Sequence, residues 1–178
     1  MPQCYEANVN GPQSRSHTIR RARPGDAARI AEIFNQGVAD RVATLETTPA
    51  TPEEAEGWIA GDIVVVADRA DTPVAWAKAS PYADRHHYYD GVREATLYVE
   101  RGVRQTGIGR DLLAALADAG AEEGAHKLVG KIFTSNEPSI ALVEGLGWRE
   151  VGTHLRHGIL DGEWKDVLVV EKLLGPPE

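Results

Sequence analysis

The sequence reads as an α/β protein, and three stretches carry that reading. The first is 94–116, EATLYVERGVRQTGIGRDLLAAL. Glu94 to Val99 is short and rich in β-formers. Arg104-Gln105-Thr106-Gly107-Ile108-Gly109 is a bend rich in Arg and Gly. Ile108, Leu112, Leu116 and Ala119 then recur on one helical face. The second stretch is a hairpin. Ile63 to Ala67 is a continuous apolar run, Asp68 to Thr72 turns, and Pro73 to Ala79 returns beside it. The third is a closing hairpin, Trp148 to Leu155 and Trp164 to Leu173, joined through Asp161-Gly162.

The remaining elements follow in order. His17 to Ala22 predicts an opening strand. Pro24-Gly25-Asp26 turns into a helix whose face is Ile30, Ile33, Phe34 and Val38. Arg41 to Ala50 is a loop. Thr51 caps a short helix, with Pro52 at its first position, Glu53 and Glu54 in its first turn and Trp58 as its anchor. Gly120 to Gly124 ends the long helix. Lys127 to Phe133 is a strand in which Gly130 marks a bulge or a close approach. Thr134 to Ser139 turns into a helix from about Pro138 to Leu146, closed by Gly147. Met1 to Ser16 is a polar leader without period, 17–174 reads as one domain, and 175–178 as a frayed tail.

Composition excludes several roles. Lys and Arg number 19 against 27 Asp and Glu, a formal net charge of −8. That balance argues against bulk binding to nucleic acid or an anionic membrane. A polyanionic ligand needs a local basic site, for which Arg101, Arg104 and Arg110 are the candidates. Cys4 is the single cysteine, so no intrachain disulfide forms. No apolar run is long enough to span a membrane and no signal-peptide hydrophobic region stands at the N-terminus, which makes the cytoplasm the expected location.

Two segments carry candidate chemistry. Glycines at the 104–109 bend let the backbone approach a ligand closely, and the following helix aims unpaired N–H groups and its positive dipole end the same way. Such a bend can hold a pyrophosphate; it can also be only a tight strand-to-helix turn. It is neither GxxxxGK[ST] nor GxGxxG. Ser80 to Arg93, SPYADRHHYYDGVR, gathers arginine, two histidines and three tyrosines. Arg85 suits a bidentate grip on a carboxylate or phosphinate, and His86 and His87 exchange protons near neutral pH. The same composition suits a subunit interface. Adjacent histidines point apart, so no metal site is expected.

Four blocks in order resemble the GCN5-related N-acetyltransferases (GNAT), and within them the phosphinothricin N-acetyltransferase-like branch. REATLYV resembles the branch's E-x-[ST]-x-Y-V strand and RQTGIG its CoA loop. SNEPSIALVEGLGW resembles N-x-x-S-[IV]-x-L-H-x-x-x-G-[FY]. VGTHLRHGILDGEWKDV resembles the closing hairpin, with Trp164 and Asp166 in the W-x-D places. The match runs from about 17 to 173. It implies a GNAT fold: a mixed sheet of six to seven strands flanked by about four helices and splayed near the middle for acetyl-CoA.

The resemblance also implies roles. Leu97, Tyr98 and Val99 would present backbone to the pantetheine arm, as a peptide pairs with a sheet edge. Gln105, Thr106, Gly107, Ile108, Gly109 and Arg110 would wrap the pyrophosphate. Asn136 would bond the cofactor, although helix capping explains it equally. Glu94 would be the general base, since an ammonium must lose a proton before it attacks a thioester. A glutamate at its ordinary pKa of about 4.3 is a poor base in water, and burial or a water relay makes it a better one. Asp84, Arg85 and His86 would bind the acceptor, a small amino-acid-like amine such as phosphinothricin or methionine sulfoximine. A homodimer is implied by analogy.

Two departures from the branch stand out. Val143 occupies the place of its histidine, so no side-chain acid there protonates the departing thiolate; water, or a hydroxyl such as that of Tyr98, would serve. Lys78 stands where a small residue is usual. An aminoglycoside, polyamine or protein N-terminus as acceptor, and a non-catalytic acyl-CoA-binding module, are the alternatives.

Overall fold

A computed structural model of the chain describes residues 17–82 and 87–175. Seven strands form one sheet: β1 (Thr18–Arg21), β2 (Ile63–Arg69), β3 (Thr72–Pro81), β4 (Val92–Val99), β5 (Lys127–Phe133), β6 (Arg149–Leu160) and β7 (Glu163–Leu173). Their order is β1-β2-β3-β4-β5-β7-β6. Every neighbouring pair is antiparallel except β4 and β5. Four helices are added: α1 (Ala27–Asp40), α2 (Pro52–Gly61), α3 (Ile108–Glu122) and α4 (Glu137–Glu144).

The helices divide the core between the two faces of the sheet. α1 buries Ile30, Ile33, Phe34 and Val38, the predicted stripe, against Val64, Val66, Trp76 and Tyr98. Trp58 of α2 stacks on Trp76 at 5.5 Å between ring centres and meets Phe34 edge-on at 5.2 Å. α2 begins with a capping box, Thr51 Oγ1 accepting from Glu54 N–H while Glu54 Oε2 accepts from Thr51 N–H. α3 buries Ile108, Leu112, Leu113 and Leu116 on the opposite face, against Val65, Ala77 and Leu128.

One departure concerns β6, which continues past the expected end at Leu155 to Leu160. The ladder jumps from His154 opposite Val167 to Gly158 opposite Lys165, leaving two surplus residues in a bulge. Arg156 has φ 51°, and its N–H donates to Asp166 Oδ1 at 2.7 Å. That interruption breaks the alternation from which a strand is read. α4 is likewise shorter than expected, ending at Glu144 with Gly145 as its C-cap.

Near β1, Arg20 forks between two nearly buried carboxylates: its guanidinium reaches Asp26 at 2.7 and 2.9 Å and Asp68 at 2.7 Å. The hydrogen bond from Arg20, opposed by burial and helped by Arg23 N–H, holds the Asp26 carboxyl below the ordinary range. A folded pKa below the unfolded one stabilises the fold above the ordinary carboxylate range, and that gain disappears as pH falls through the depressed value. Asp26→Asn therefore lowers stability at pH 7 by about 1.5 kcal/mol, the scale of a hydrogen bond to a charged group. The difference from wild type shrinks as pH drops below about 4; urea midpoints at the two pH values check it.

Candidate active site

The parallel pairing of β4 with β5 is short. It runs from Val92 opposite Lys127 to Ala95 opposite Gly130 and then stops, so the strands part. Gly130 is a close approach: a Cβ there would lie 2.9 Å from Val170 Cγ2. Beyond it, the edge of Thr96 to Val99 that faces β5 has no ladder partner. Two clefts open along this gap. One, of about 550 Å³, reaches the N-terminus of α3 and is lined by Leu97, Tyr98, Val99, Gln105, Gly107, Gly109, Arg110 and Asn136, among others. The other, of about 370 Å³, is lined by Glu94, Thr96, Tyr98, Lys131, Val143 and His157, among others. Leu97, Tyr98, Asn136, Ser139 and Leu142 border both, so the two halves adjoin.

The bend before α3 has the backbone that glycine permits. Gly107 is the N-cap with φ 92°, and Gln105 has φ 61°. The helical ladder takes its first donor at Arg110, whose N–H bonds Gly107 O at 3.1 Å, so the N–H groups of Ile108 and Gly109 fall outside it. Gly109 keeps the approach narrow: a Cβ there would lie 3.2 Å from Leu142 Cδ2 and 3.4 Å from Leu97 Cδ2. These features suit a diphosphate at the helix start. Ile108 itself is 1% exposed and its side chain belongs to the core, so only its main chain can face a ligand. The Thr106 hydroxyl donates to Val103 O at 2.7 Å.

The expected basic site is arranged differently from a cluster of free arginines. Arg101 and Arg104 both clasp Asp40 at the end of α1, at 2.6 and 2.8 Å. Hydrogen bonds from Arg101 first, and from Arg104, hold the Asp40 carboxyl below its ordinary range. Arg104 Nε also donates to Val99 O at 3.0 Å, and Arg110 donates to Gly145 O at 3.0 Å. Arg104 and Arg110 still border the first cleft; Arg101 does not line it.

Asn136 makes the expected helix cap and one contact that is not local. Its Oδ1 caps α4 by accepting from Ser139 N–H at 3.3 Å. Its Nδ2 donates to Val42 O at 3.1 Å, pinning the 41–50 loop across the gap. Through that link Val42, Ala43, Thr44 and Leu45 become walls of the clefts.

Glu94, Thr96 and Tyr98 share a face as period two requires, and all three border the second cleft. Glu94 lies opposite Ser80 on β3 and Val129 on β5. Its Oε2 receives Lys131 Nζ at 2.8 Å, with 33% of the glutamate side chain and 41% of the lysine exposed. Tyr98 is 7% exposed, stacked on Trp76 at 5.1 Å and bonded to Thr44. Burial first of all pushes its phenol up to about 12. A thiol has a pKa of about 8.5, so proton transfer from that phenol to a thiolate runs uphill by about 5 kcal/mol. Tyr98 is therefore a weaker acid than an ordinary tyrosine. Val143 is a mostly buried apolar wall of the second cleft, and Lys78 is occupied by Asp62 at 2.9 Å.

The acceptor residues expected at Asp84, Arg85 and His86 lie outside the described residues. Lys131, Thr44 and His157, by contrast, line the second cleft without having been singled out in the sequence. A lysine between Gly130 and Ile132, in the apolar run that follows Lys127, was the available signal for the first. The other two depend on which loop covers the gap.

An open sheet with a helix start at one end of the opening and a carboxylate at the other suits an enzyme that transfers a group from a diphosphate-bearing donor to a protonated acceptor. The profile of the acetyltransferase (GNAT) family matches residues 31–148. The chain belongs to that family and is an N-acetyltransferase. It is 33% identical to a phosphinothricin N-acetyltransferase of Streptomyces coelicolor over 85% of this chain and 95% of that one. It is 28% identical to an L-methionine sulfoximine/L-methionine sulfone acetyltransferase of Pseudomonas aeruginosa, over 90% and 96% of the two chains. A Sinorhizobium meliloti phosphinothricin acetyltransferase, solved in complex with acetyl-CoA, superposes with a TM-score of 0.83 at 30% identity, covering 89% of each chain. Acetyl-CoA thus fits as the donor. Among the described residues no helix is long and apolar enough to cross a membrane.

Proposed function

We propose that the enzyme transfers acetyl to the α-amino group of a small amino-acid-like compound, a glutamate analogue such as phosphinothricin or methionine sulfoximine. The observation that carries this is the make-up of the second cleft. Glu94 and Lys131 are the one carboxylate and the one ammonium among the described residues that line it. A balanced pair matches a zwitterion better than it matches a polycationic aminoglycoside or polyamine. The names of the two curated relatives point the same way.

Bound acetyl-CoA supplies the acetyl group as an activated thioester. Leu97, Tyr98 and Val99 hold the pantetheine with main-chain groups along the parted edge of β4, and Asn136 adds a side-chain contact. Gln105, Thr106, Gly107, Ile108, Gly109 and Arg110 hold the diphosphate. Glu94 takes the proton from the acceptor's ammonium, directly or through one water, and the freed lone pair attacks the carbonyl carbon. Main-chain N–H near Val99 steadies the oxyanion, and water returns a proton to the thiolate. Asp84, Arg85 and His86 are proposed to bind the acceptor as well.

The test is CoA release across a panel: phosphinothricin, L-methionine sulfoximine, the common amino acids, spermidine, kanamycin and a peptide with a free N-terminus. Turnover highest on the amino acids supports the reading. Turnover confined to spermidine or kanamycin overturns it, and CoA binding without any transfer supports a binding module instead. The protein is proposed to work in the cytoplasm as a dimer. Leu155, Ile159 and Trp164, 75%, 54% and 57% exposed on the last hairpin, offer a second copy an apolar surface. A sedimentation mass of one chain would overturn that.

A further inference from the structure

Lys131 reaches Glu94 from the neighbouring strand, 37 positions along the chain, with Nζ 2.8 Å from Oε2. Its ammonium also lies 5.8 Å from the centre of the Tyr82 ring, at the end of β3. The other nearby lysine is committed elsewhere: Lys78 bonds Asp62 at 2.9 Å and sits 5.1 Å over the Trp58 ring. So the carboxylate proposed to receive the substrate's ammonium already carries an ammonium from the protein.

We propose that Lys131 is the specificity-determining residue for zwitterionic acceptors: it occupies Glu94 in the free enzyme, yields it to the incoming α-amino group, and takes the acceptor's carboxylate in exchange. The proposal rests on the amino-acid reading above. The exchange balances charge at every stage. One internal ion pair becomes two pairs with the zwitterion, and neither Glu94 nor Lys131 is left without a counter-charge. An amine lacking an acid group must compete with Lys131 for Glu94 and offers the displaced lysine no counter-charge, so it binds less well than a zwitterion. The exchange is also mechanically easy. The pair is partly exposed, so it contributes little to the fold, and the lysine's four-carbon stem lets its head move without moving β5. No bond is made or broken beyond the transfer already described; the proton of the acceptor's ammonium still goes to Glu94.

Kinetics on L-methionine sulfoximine and its primary amide test this. The two acceptors share the amine and differ in the carboxylate charge. In wild type kcat/KM favours the acid. Lys131→Met raises KM for the acid about 10- to 100-fold, the range for losing a hydrogen bond between charged groups. KM for the amide falls, because the amide no longer has to displace a lysine from Glu94, and Lys131→Arg restores most of the preference. Melting temperatures of the variants match wild type. A Met variant that keeps the wild-type preference, or loses equally on both acceptors, overturns the proposal; equal loss would mean that Lys131 merely positions Glu94. A wild type that acetylates the amide and not the acid overturns the amino-acid reading itself, and this proposal with it, before any variant is made.

Discussion

Glu94→Gln lowers kcat by about 10²- to 10⁴-fold, the usual contribution of a positioned general base. This is about 3–5 kcal/mol on the barrier. The amide keeps the size of the side chain and its hydrogen bond to Lys131 Nζ through the remaining oxygen, so the packing of β4 between β3 and β5 is undisturbed. Acetyl-CoA affinity stays at the wild-type value, because Glu94 borders the second cleft and not the one that reaches α3. The residual rate climbs with pH, since raising the free-amine fraction replaces the work that the carboxylate did. Glu94→Asp retains a base one methylene shorter and falls between the two. Steady-state kinetics from pH 6 to 10, with calorimetric titration of acetyl-CoA alongside, separate these effects. A Gln variant with full turnover at neutral pH would remove Glu94 from the chemistry.

Gly107→Val raises KM for acetyl-CoA by about 10- to 100-fold. The N-cap of α3 has φ 92° and ψ −12°. A β-branched residue adopts such a backbone only at a cost of about 1–3 kcal/mol, and it relieves that cost by reshaping the bend. Every 1.4 kcal/mol is a factor of ten in affinity. The reshaped bend no longer turns the 105–109 main chain toward the first cleft. kcat at saturating donor changes little, because the acceptor end of the opening is untouched. Gly107→Asn is the control: asparagine tolerates positive φ, so it keeps most of the donor affinity. Equal donor affinity in the Val variant and wild type would show that the bend does not hold the diphosphate.

Much of this enzyme was legible in its sequence because the signals were local. The apolar stripe of α1, the Thr51-x-x-Glu54 box and the Gly107 bend each depend on residues a few positions apart. Physics at that range does not need the rest of the chain. Glu94, Thr96 and Tyr98 fell on one face for the same reason, since alternation along a strand is set by its own backbone. The family blocks added the order of the sheet, and with it the expectation of an opening beside β4.

What local signals left open was who faces whom across that opening. The β4–β5 pairing ends at Ala95 and Gly130, and only then does Lys131 come to rest on Glu94. Asn136 reads equally as a helix cap and as a ligand; the fold shows the cap and adds the bond to Val42, 94 positions away. The phenol of Tyr98 looks like an ordinary hydroxyl until Trp76 and Phe34 close around it and burial raises its pKa. The sequence alone thus determined the elements, the bend and the face on which the carboxylate lies. Strand order, register and the loop pinned over the gap decided the charge that carboxylate meets, because a strand's period assigns each side chain a face and leaves its neighbour to the rest of the sheet.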